Sequence, residues 1–343
     1  MKFRAAVLKK LNAPLEILEI STRPLEYGQV LVKIFYSGVC RSQIMEMSGA
    51  RGEDKYLPHL MGHEATGEVI ETGEGVTKVQ SGDIVILTWI KGSGINSAPP
   101  KYDSSYGVVN AGAITTFSQY TVASENRIIK IPGGLPLDVG VLFGCALQTG
   151  AGMVFNELKP SSTDTVIVLG LGGIGFSALM ALSELKCKKI IAIDISEDRL
   201  ELAKSFGATD VINSRLKDVK VEVKKLCGDG AEGCIESAGK VETIELAFSL
   251  IKKNEGKLYF ASHPPEGEMI RIAPHELISG KQIFGSWGGG CHPDKDIPRL
   301  AESYLSGKMP IQKLITKRYQ LDQINMALSD LKEGNVFRPI IEM

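Results

Sequence analysis

The chain has 343 residues, enough for two domains with separate cores. With 43% hydrophobic and 23% charged residues it has the balance of an ordinary globular protein, which excludes a disordered or low-complexity chain. A net charge of −1 provides no long-range attraction to nucleic acid or anionic membrane, and no apolar run reaches transmembrane length. The apolar run at the start is short and broken by lysines, too short for the core of a signal peptide, so a cytoplasmic protein is expected. Six cysteines in a chain of this size and compartment predict free thiols, not disulfides.

The first ~145 residues carry short strand-like runs rich in β-branched residues, such as 29–35, 67–73 and 83–87, separated by glycine-containing turns. That pattern predicts a mostly-β, barrel-like domain. From about residue 148 the texture changes. Residues 165–169 read as a buried strand, 175–186 as a helix and 189–193 as the next strand. A helix follows from Ser196, its N-cap, to Gly207, which closes it. Further strands are predicted at 210–213, 233–237, 257–261 and 282–285. Alternating strand and helix is the signature of a doubly wound parallel sheet. Beyond residue 288 the chain turns helical, and residues 338–343 read as a strand returning to the first domain. The predicted domains are 1–147 with 289–343, and 148–288.

Gly170, Gly172, Gly173, Ile174 and Gly175 form a G-x-G-G-I-G loop between a predicted strand and a predicted helix. In that context the glycines allow a tight turn, a close approach of backbone to a pyrophosphate, and packing of helix on sheet. The helix N-terminus then offers its free N–H groups to phosphate. Asp194 ends the following strand, 19 residues past Gly175, where a carboxylate accepts hydrogen bonds from an adenosine ribose and repels a 2′-phosphate. NAD(H) is therefore expected over NADP(H). Arg199 either helps to hold the ribose or is a solvated helix residue, and the plain alternative for Asp194 is a helix-capping carboxylate.

Ahead of this loop stand Cys40, then Gly62-His63-Glu64, then Cys145. Two thiolates and an imidazole leave a tetrahedral Zn²⁺ with one open position, which suits a Lewis acid better than a structural staple. Taken alone, each of these residues is more simply a buried thiol or a satisfied histidine.

Together, the segments 38–42, 62–64, 116–122, 144–145 with 149–150, and 170–175 resemble the zinc-containing medium-chain dehydrogenases/reductases (the alcohol dehydrogenase family) in order and spacing over nearly the whole chain. Alcohol dehydrogenase is itself the known case of a Cys₂His catalytic zinc. The resemblance implies a GroES-like catalytic domain and a Rossmann domain for NAD. It implies Cys40, His63 and Cys145 as zinc ligands, Glu64 behind the metal, and Ser42 as the residue that hydrogen-bonds the alcohol and starts its proton relay. Arg41 and Arg338 match the pyrophosphate arginines, Thr149 falls with the cofactor residues, and Trp89 and Phe117 match aromatic walls of the substrate pocket.

Three departures stand out. Gln43 replaces the aspartate that many members carry there; an amide still accepts the imidazole N–H but brings no charge to raise the basicity of the ligand. Met45 replaces a relay histidine. Residues 90–112 contain no cysteine, so the lobe for a second, structural zinc is missing and one zinc per subunit is expected. Polar residues of that segment, among them Ser93, Asn96, Lys101, Tyr102 and Asp103, are candidates to face a polyol or sugar. His292 is either a substrate or cofactor contact or a surface residue.

The expected reaction is hydride transfer between an alcohol, or its carbonyl, and NAD, with the metal as Lewis acid. A polyol or sugar-alcohol dehydrogenase is the enzymatic alternative, and a cofactor-binding structural protein the non-enzymatic one. A homo-oligomer, dimer or tetramer, is expected, with the sheet edge near 282–288 as its seam.

Overall fold

A computed structural model describes all 343 residues. The chain forms two compact units: Met1–Cys145 with His292–Leu305 and Ile311–Met343, and Ala146–Cys291 with Ser306–Pro310. Their junctions lie two or three residues from those expected, and the excursion of Ser306–Pro310 into the second unit has no signal in the sequence. No single helix is long and apolar enough to cross a membrane.

The first unit is built on two β systems. Lys2–Leu8, Glu16–Thr22, Lys101–Ser104, Gly107–Asn110 and His59–Leu60 close a small barrel. A seven-stranded sheet runs in the order Ile128–Lys130, Ile84–Leu87, Ala65–Thr72, Gln29–Gly38, Ile340–Glu342 and Arg318–Gln320, with Tyr120–Ser124 also paired to Gln29–Gly38. The expected C-terminal strand is thus Ile340–Glu342, antiparallel to Gln29–Gly38. Val30, Val32 and Ile34 pack with Ala65, Val69, Val85 and Leu87 in one core.

Segment 90–112 overturns an expectation. Its hairpin, Lys101–Ser104 against Gly107–Asn110, supplies two strands of the barrel. Tyr102 is fully buried, and its hydroxyl accepts the Val122 N–H at 2.8 Å. Asp103 pairs with Arg23 at 2.6 Å, and the side-chain oxygen of Asn96 accepts from Asn126 at 3.1 Å. Three of the polar side chains offered from sequence to a sugar, Asn96, Tyr102 and Asp103, are therefore engaged within the protein. Glu125, 1% exposed, anchors the same region by accepting the N–H groups of Thr77, Lys78 and Ile95, each at 2.7 Å. Burial works to raise this carboxyl, but the three N–H donors outweigh it and hold it below the usual range.

The second unit is a six-stranded parallel sheet in the order Asp210–Asn213, Lys189–Asp194, Thr165–Leu169, Gly233–Glu236, Lys257–Phe260, Gln282–Gly285. Numbered along the chain this is 3-2-1-4-5-6, the dinucleotide-binding order, and it places the crevice for a ligand at the carboxyl end of Thr165–Leu169. The strands Thr165–Leu169 and Lys189–Asp194 are buried almost throughout, as apolar runs covered on both faces must be.

Candidate metal centre and dinucleotide loop

In the first unit, three separate segments deliver the donors. Cys40 is the N-cap of the short helix Arg41–Met47, which follows the strand Gln29–Gly38. His63 lies in the link from His59–Leu60 to Ala65–Thr72, and Cys145 follows the turn Val141–Gly144. The two sulfurs and an imidazole nitrogen lie within 4.8 Å of one another, with His63 Nε2 at 3.1 Å from Cys145 Sγ. Zinc–ligand bond lengths place tetrahedral donors roughly 3.6–3.8 Å apart, so the cluster fits that ion. A hydrogen bond from the Cys145 thiol, working against burial, holds Cys40 well below the usual thiol range, while that bond and burial push Cys145 well above it. Two cysteine sulfurs and an imidazole are a donor set suited to a soft cation.

Glu64, next to the histidine, is 0% exposed, and one of its carboxylate oxygens pairs with the guanidinium of Arg338. Gly38 and Gly144 make the space for it: a Cβ at residue 38 would meet the carboxylate oxygen at 2.5 Å, and one at 144 would meet Glu64 Cβ at 2.6 Å. Burial pushes this carboxyl up to about 7, with Arg338 pulling it back down. Ser37 and Thr116, hydroxyls 2.7 Å apart, both reach the Glu64 carbonyl oxygen, at 3.2 and 3.3 Å. Ser37 escaped the sequence reading; a serine near the end of an apolar strand-like run was its only signal.

Ser42 lies in the first turn of the same helix. Its hydroxyl oxygen is buried and makes no hydrogen bond within the protein. A buried, unsatisfied hydroxyl is costly and calls for a partner. Trp89 is half-buried against the sheet core. Phe117, by contrast, is 1% exposed and packs with Ala6, Val39 and Met61, so its ring fills the core and presents no open wall to a substrate.

Arg338, matched to a pyrophosphate arginine, is 4% exposed and pairs with Glu64, supplying the counterion that a buried carboxylate needs, while its Nε makes no hydrogen bond within the protein. Arg41 remains exposed. The amide of Gln43 does not accept the imidazole proton: its oxygen takes the Cys40 N–H at 2.7 Å, which leaves its nitrogen 2.5 Å from His63 Nδ1. His292 is half-exposed and faces Asp294 at 3.6 Å, alongside Lys78 on the same carboxylate at 2.5 Å, in line with the surface reading.

In the second unit the glycine loop joins Thr165–Leu169 to the helix Gly173–Glu184, slightly earlier than predicted. Gly170 has φ +90°, a turn that L side chains rarely make, while a Cβ on Gly172 would meet nothing within 4 Å, leaving its backbone open to a ligand. A Cβ on Gly175 would strike the Gly170 carbonyl oxygen, so this glycine seats the helix. The helix has no side-chain cap and no acidic residue in its first turn, so Gly173 and Ile174 begin an end suited to an anion. Ser237, also unanticipated, braces the loop by donating to the Gly170 carbonyl at 2.6 Å. Asp194 accepts the Leu171 N–H at 2.7 Å and those of Ile195 and Ser196 at 2.8 and 2.9 Å. Three of a carboxylate's roughly four acceptor positions are thereby filled, leaving about one for a ribose hydroxyl. Ser196 is the N-cap of Glu197–Ser205, as predicted, although its hydroxyl makes no capping bond. Thr149 is buried, and Arg199 lies on that helix, partly exposed.

Comparison with known proteins agrees with both halves of this picture. Residues 26–133 match the family model for the alcohol dehydrogenase GroES-like domain, and residues 173–306 the model for the zinc-binding dehydrogenase. An S-(hydroxymethyl)glutathione dehydrogenase of Synechocystis is 32% identical across 99% of this chain and 100% of its own length. Benzyl alcohol dehydrogenase from Acinetobacter calcoaceticus superimposes with a TM-score of 0.91 at 30% identity, covering 100% of this chain and 99% of its own. An alcohol dehydrogenase zinc-binding domain protein from Burkholderia ambifaria gives 0.92 at 28%, with the same coverage. With its Cys₂His cluster, its GroES-like domain and its Rossmann sheet, the chain belongs to the zinc-containing medium-chain dehydrogenases/reductases, the family of zinc-dependent alcohol oxidoreductases.

Proposed function

We propose that this protein interconverts a primary alcohol and its aldehyde with NAD(H), holding one Zn²⁺ per chain on Cys40, His63 and Cys145. The observation that carries this reading is the convergence of three metal donors within 4.8 Å, in the same unit as a buried Ser42 hydroxyl that lacks a protein partner. When bound, the metal supplies Lewis-acid polarisation of the substrate oxygen, and the nicotinamide supplies the hydride acceptor or donor. Ser42 accepts a hydrogen bond from the substrate hydroxyl and passes its proton outward. Glu64, fixed by Arg338 and by the Ser37–Thr116 pair, stands close behind the cluster. The N-terminal end of Gly173–Glu184 carries the cofactor pyrophosphate, with Thr149 and Arg199 as secondary contacts. Asp194 takes the ribose, which selects NAD(H) against a 2′-phosphate.

Trp89 supports an apolar substrate, and the relatives that resemble this chain act on benzyl alcohol and S-(hydroxymethyl)glutathione by name. The internal engagement of Asn96, Tyr102 and Asp103 weakens the argument for a polyol. The edge strand Gln282–Gly285, with Phe284 37% and Trp287 73% exposed, supports a homo-oligomer joined at that edge. The test is NAD⁺-dependent oxidation of benzyl alcohol, S-(hydroxymethyl)glutathione, butanediol and sorbitol by zinc-replete protein. Preference for either of the first two supports the reading; preference for the diol or polyol moves it to the polyol branch. No turnover with any alcohol, under either nicotinamide, returns the chain to a cofactor-binding protein.

A further inference from the structure

Gln43 meets two groups that make opposite demands on it. The residue is 1% exposed, its side-chain oxygen lies 2.7 Å from the Cys40 backbone nitrogen, and its amide nitrogen lies 2.5 Å from His63 Nδ1. This orientation is not free to reverse. A backbone N–H only donates, so the carbonyl end must face Cys40, and the –NH₂ end is left to face the imidazole. An –NH₂ also only donates, so Nδ1 must be the acceptor. In the neutral ring the proton then sits on Nε2, where Cys145 Sγ lies at 3.1 Å. A metal bound through Nε2 requires the other tautomer, with the lone pair on Nε2 and the proton on Nδ1.

We propose that Gln43 is a positioning residue that holds His63 in the tautomer that does not bind metal. Resting on the zinc-centre reading above, the inference is that the ion is held more loosely, and exchanged more readily, than the three donors alone would dictate. Turning the amide over does not resolve the conflict: its –NH₂ would then confront the Cys40 N–H, so one of the two hydrogen bonds is lost whenever the site is loaded. A carboxylate of the same length would satisfy both donors at once. Gln43 therefore acts against the metal where a hydrogen-bond acceptor would act for it.

The test compares wild type, Gln43→Glu and Gln43→Met by zinc competition against a chromophoric chelator, with unfolding curves of the apo-proteins as a check on folding. Partners of metal-bound histidines contribute about 10–100-fold in affinity. Gln43→Glu is expected to tighten zinc by that factor and to slow its release. Gln43→Met, which removes the opposing donor without adding charge, is expected to hold zinc at least as well as wild type. A loss of 10-fold or more in Gln43→Met, or no gain in Gln43→Glu, would overturn the inference. A readout that needs no variant is the ¹⁵N spectrum of the five histidines in the apo wild type. A proton on Nε2 of His63 is expected, and a proton on Nδ1 contradicts it. If wild type and both variants all fail to take up zinc, the metal reading itself falls and this inference with it.

Discussion

The two candidate sites of this molecule are assembled in opposite ways. The dinucleotide loop and its acidic partner, Gly170 to Asp194, lie within one strand–helix–strand unit, and Asp194 itself grips the loop through the Leu171 N–H. The metal donors come from three segments spread between residues 40 and 145, and the counterion of their neighbour Glu64 is Arg338, 274 residues away. A local site rests on backbone turns that a few glycines dictate. A dispersed site rests on the fit of a whole β domain, and on buried polar groups that each need a partner from elsewhere. The first is therefore expected to fail by local crowding, and the second by loss of a ligand or by loosening of its scaffold.

The largest expected effect is at the dispersed site. Cys40→Ser should abolish zinc retention and lower kcat/KM by on the order of 10³-fold, since Lewis-acid stabilisation supplies several kcal/mol. NAD⁺ binding by the variant, followed by fluorescence quenching, should remain close to wild type. A variant that loses both functions together would show that the sites are not independent. The complementary change is Gly175→Ala, whose methyl group would collide with the Gly170 carbonyl. Overpacking of this kind costs about 1–3 kcal/mol, so the KM for NAD⁺ should rise roughly ten- to hundredfold with zinc content unchanged.

A smaller effect tests the scaffold of the first unit. Glu125→Gln leaves one of three backbone N–H groups facing an –NH₂, and should cost about 1.5–3 kcal/mol in stability without altering the metal-to-protein ratio. The folded-state carboxyl lies below its unfolded value, so the carboxylate's contribution is complete above the unfolded pKa, about 4.3. It fades as the pH falls through the folded value. The gap in Tm between wild type and Glu125→Gln should accordingly be widest near neutrality and close in acid. A gap that does not change with pH would mean that the charge on Glu125 contributes nothing.

The same contrast governs what was legible in the sequence. Parallel strands, the glycine turn and the helix start from Ser196 obey local rules, and the structure places them within a few residues of expectation. The ligand triad was visible because its residue types and their order resemble a known family, not because any spacing brings residue 40 to residue 145. What stayed hidden depends on contacts made in space. Segment 90–112, polar and lacking cysteines, looked like a loop with groups to spare, yet its hairpin completes a barrel by pairing with Glu16–Thr22, 80 or more residues earlier, and with His59–Leu60, 51 residues earlier. That Arg338 pairs with the buried Glu64, 274 residues away, had no signal in the sequence. Gln43 looked like a weaker version of a carboxylate, and only the direction of the Cys40 N–H shows that its acceptor is already taken.

The central claim is that the first unit holds a single metal on Cys40, His63 and Cys145. Elemental analysis of protein purified without chelators tests it most directly. About one zinc per chain is predicted for wild type, and none for Cys40→Ser. Two equivalents, or a Cys40→Ser variant that keeps its zinc, would place metal elsewhere in the chain. No zinc after metal-replete expression would contradict the account outright.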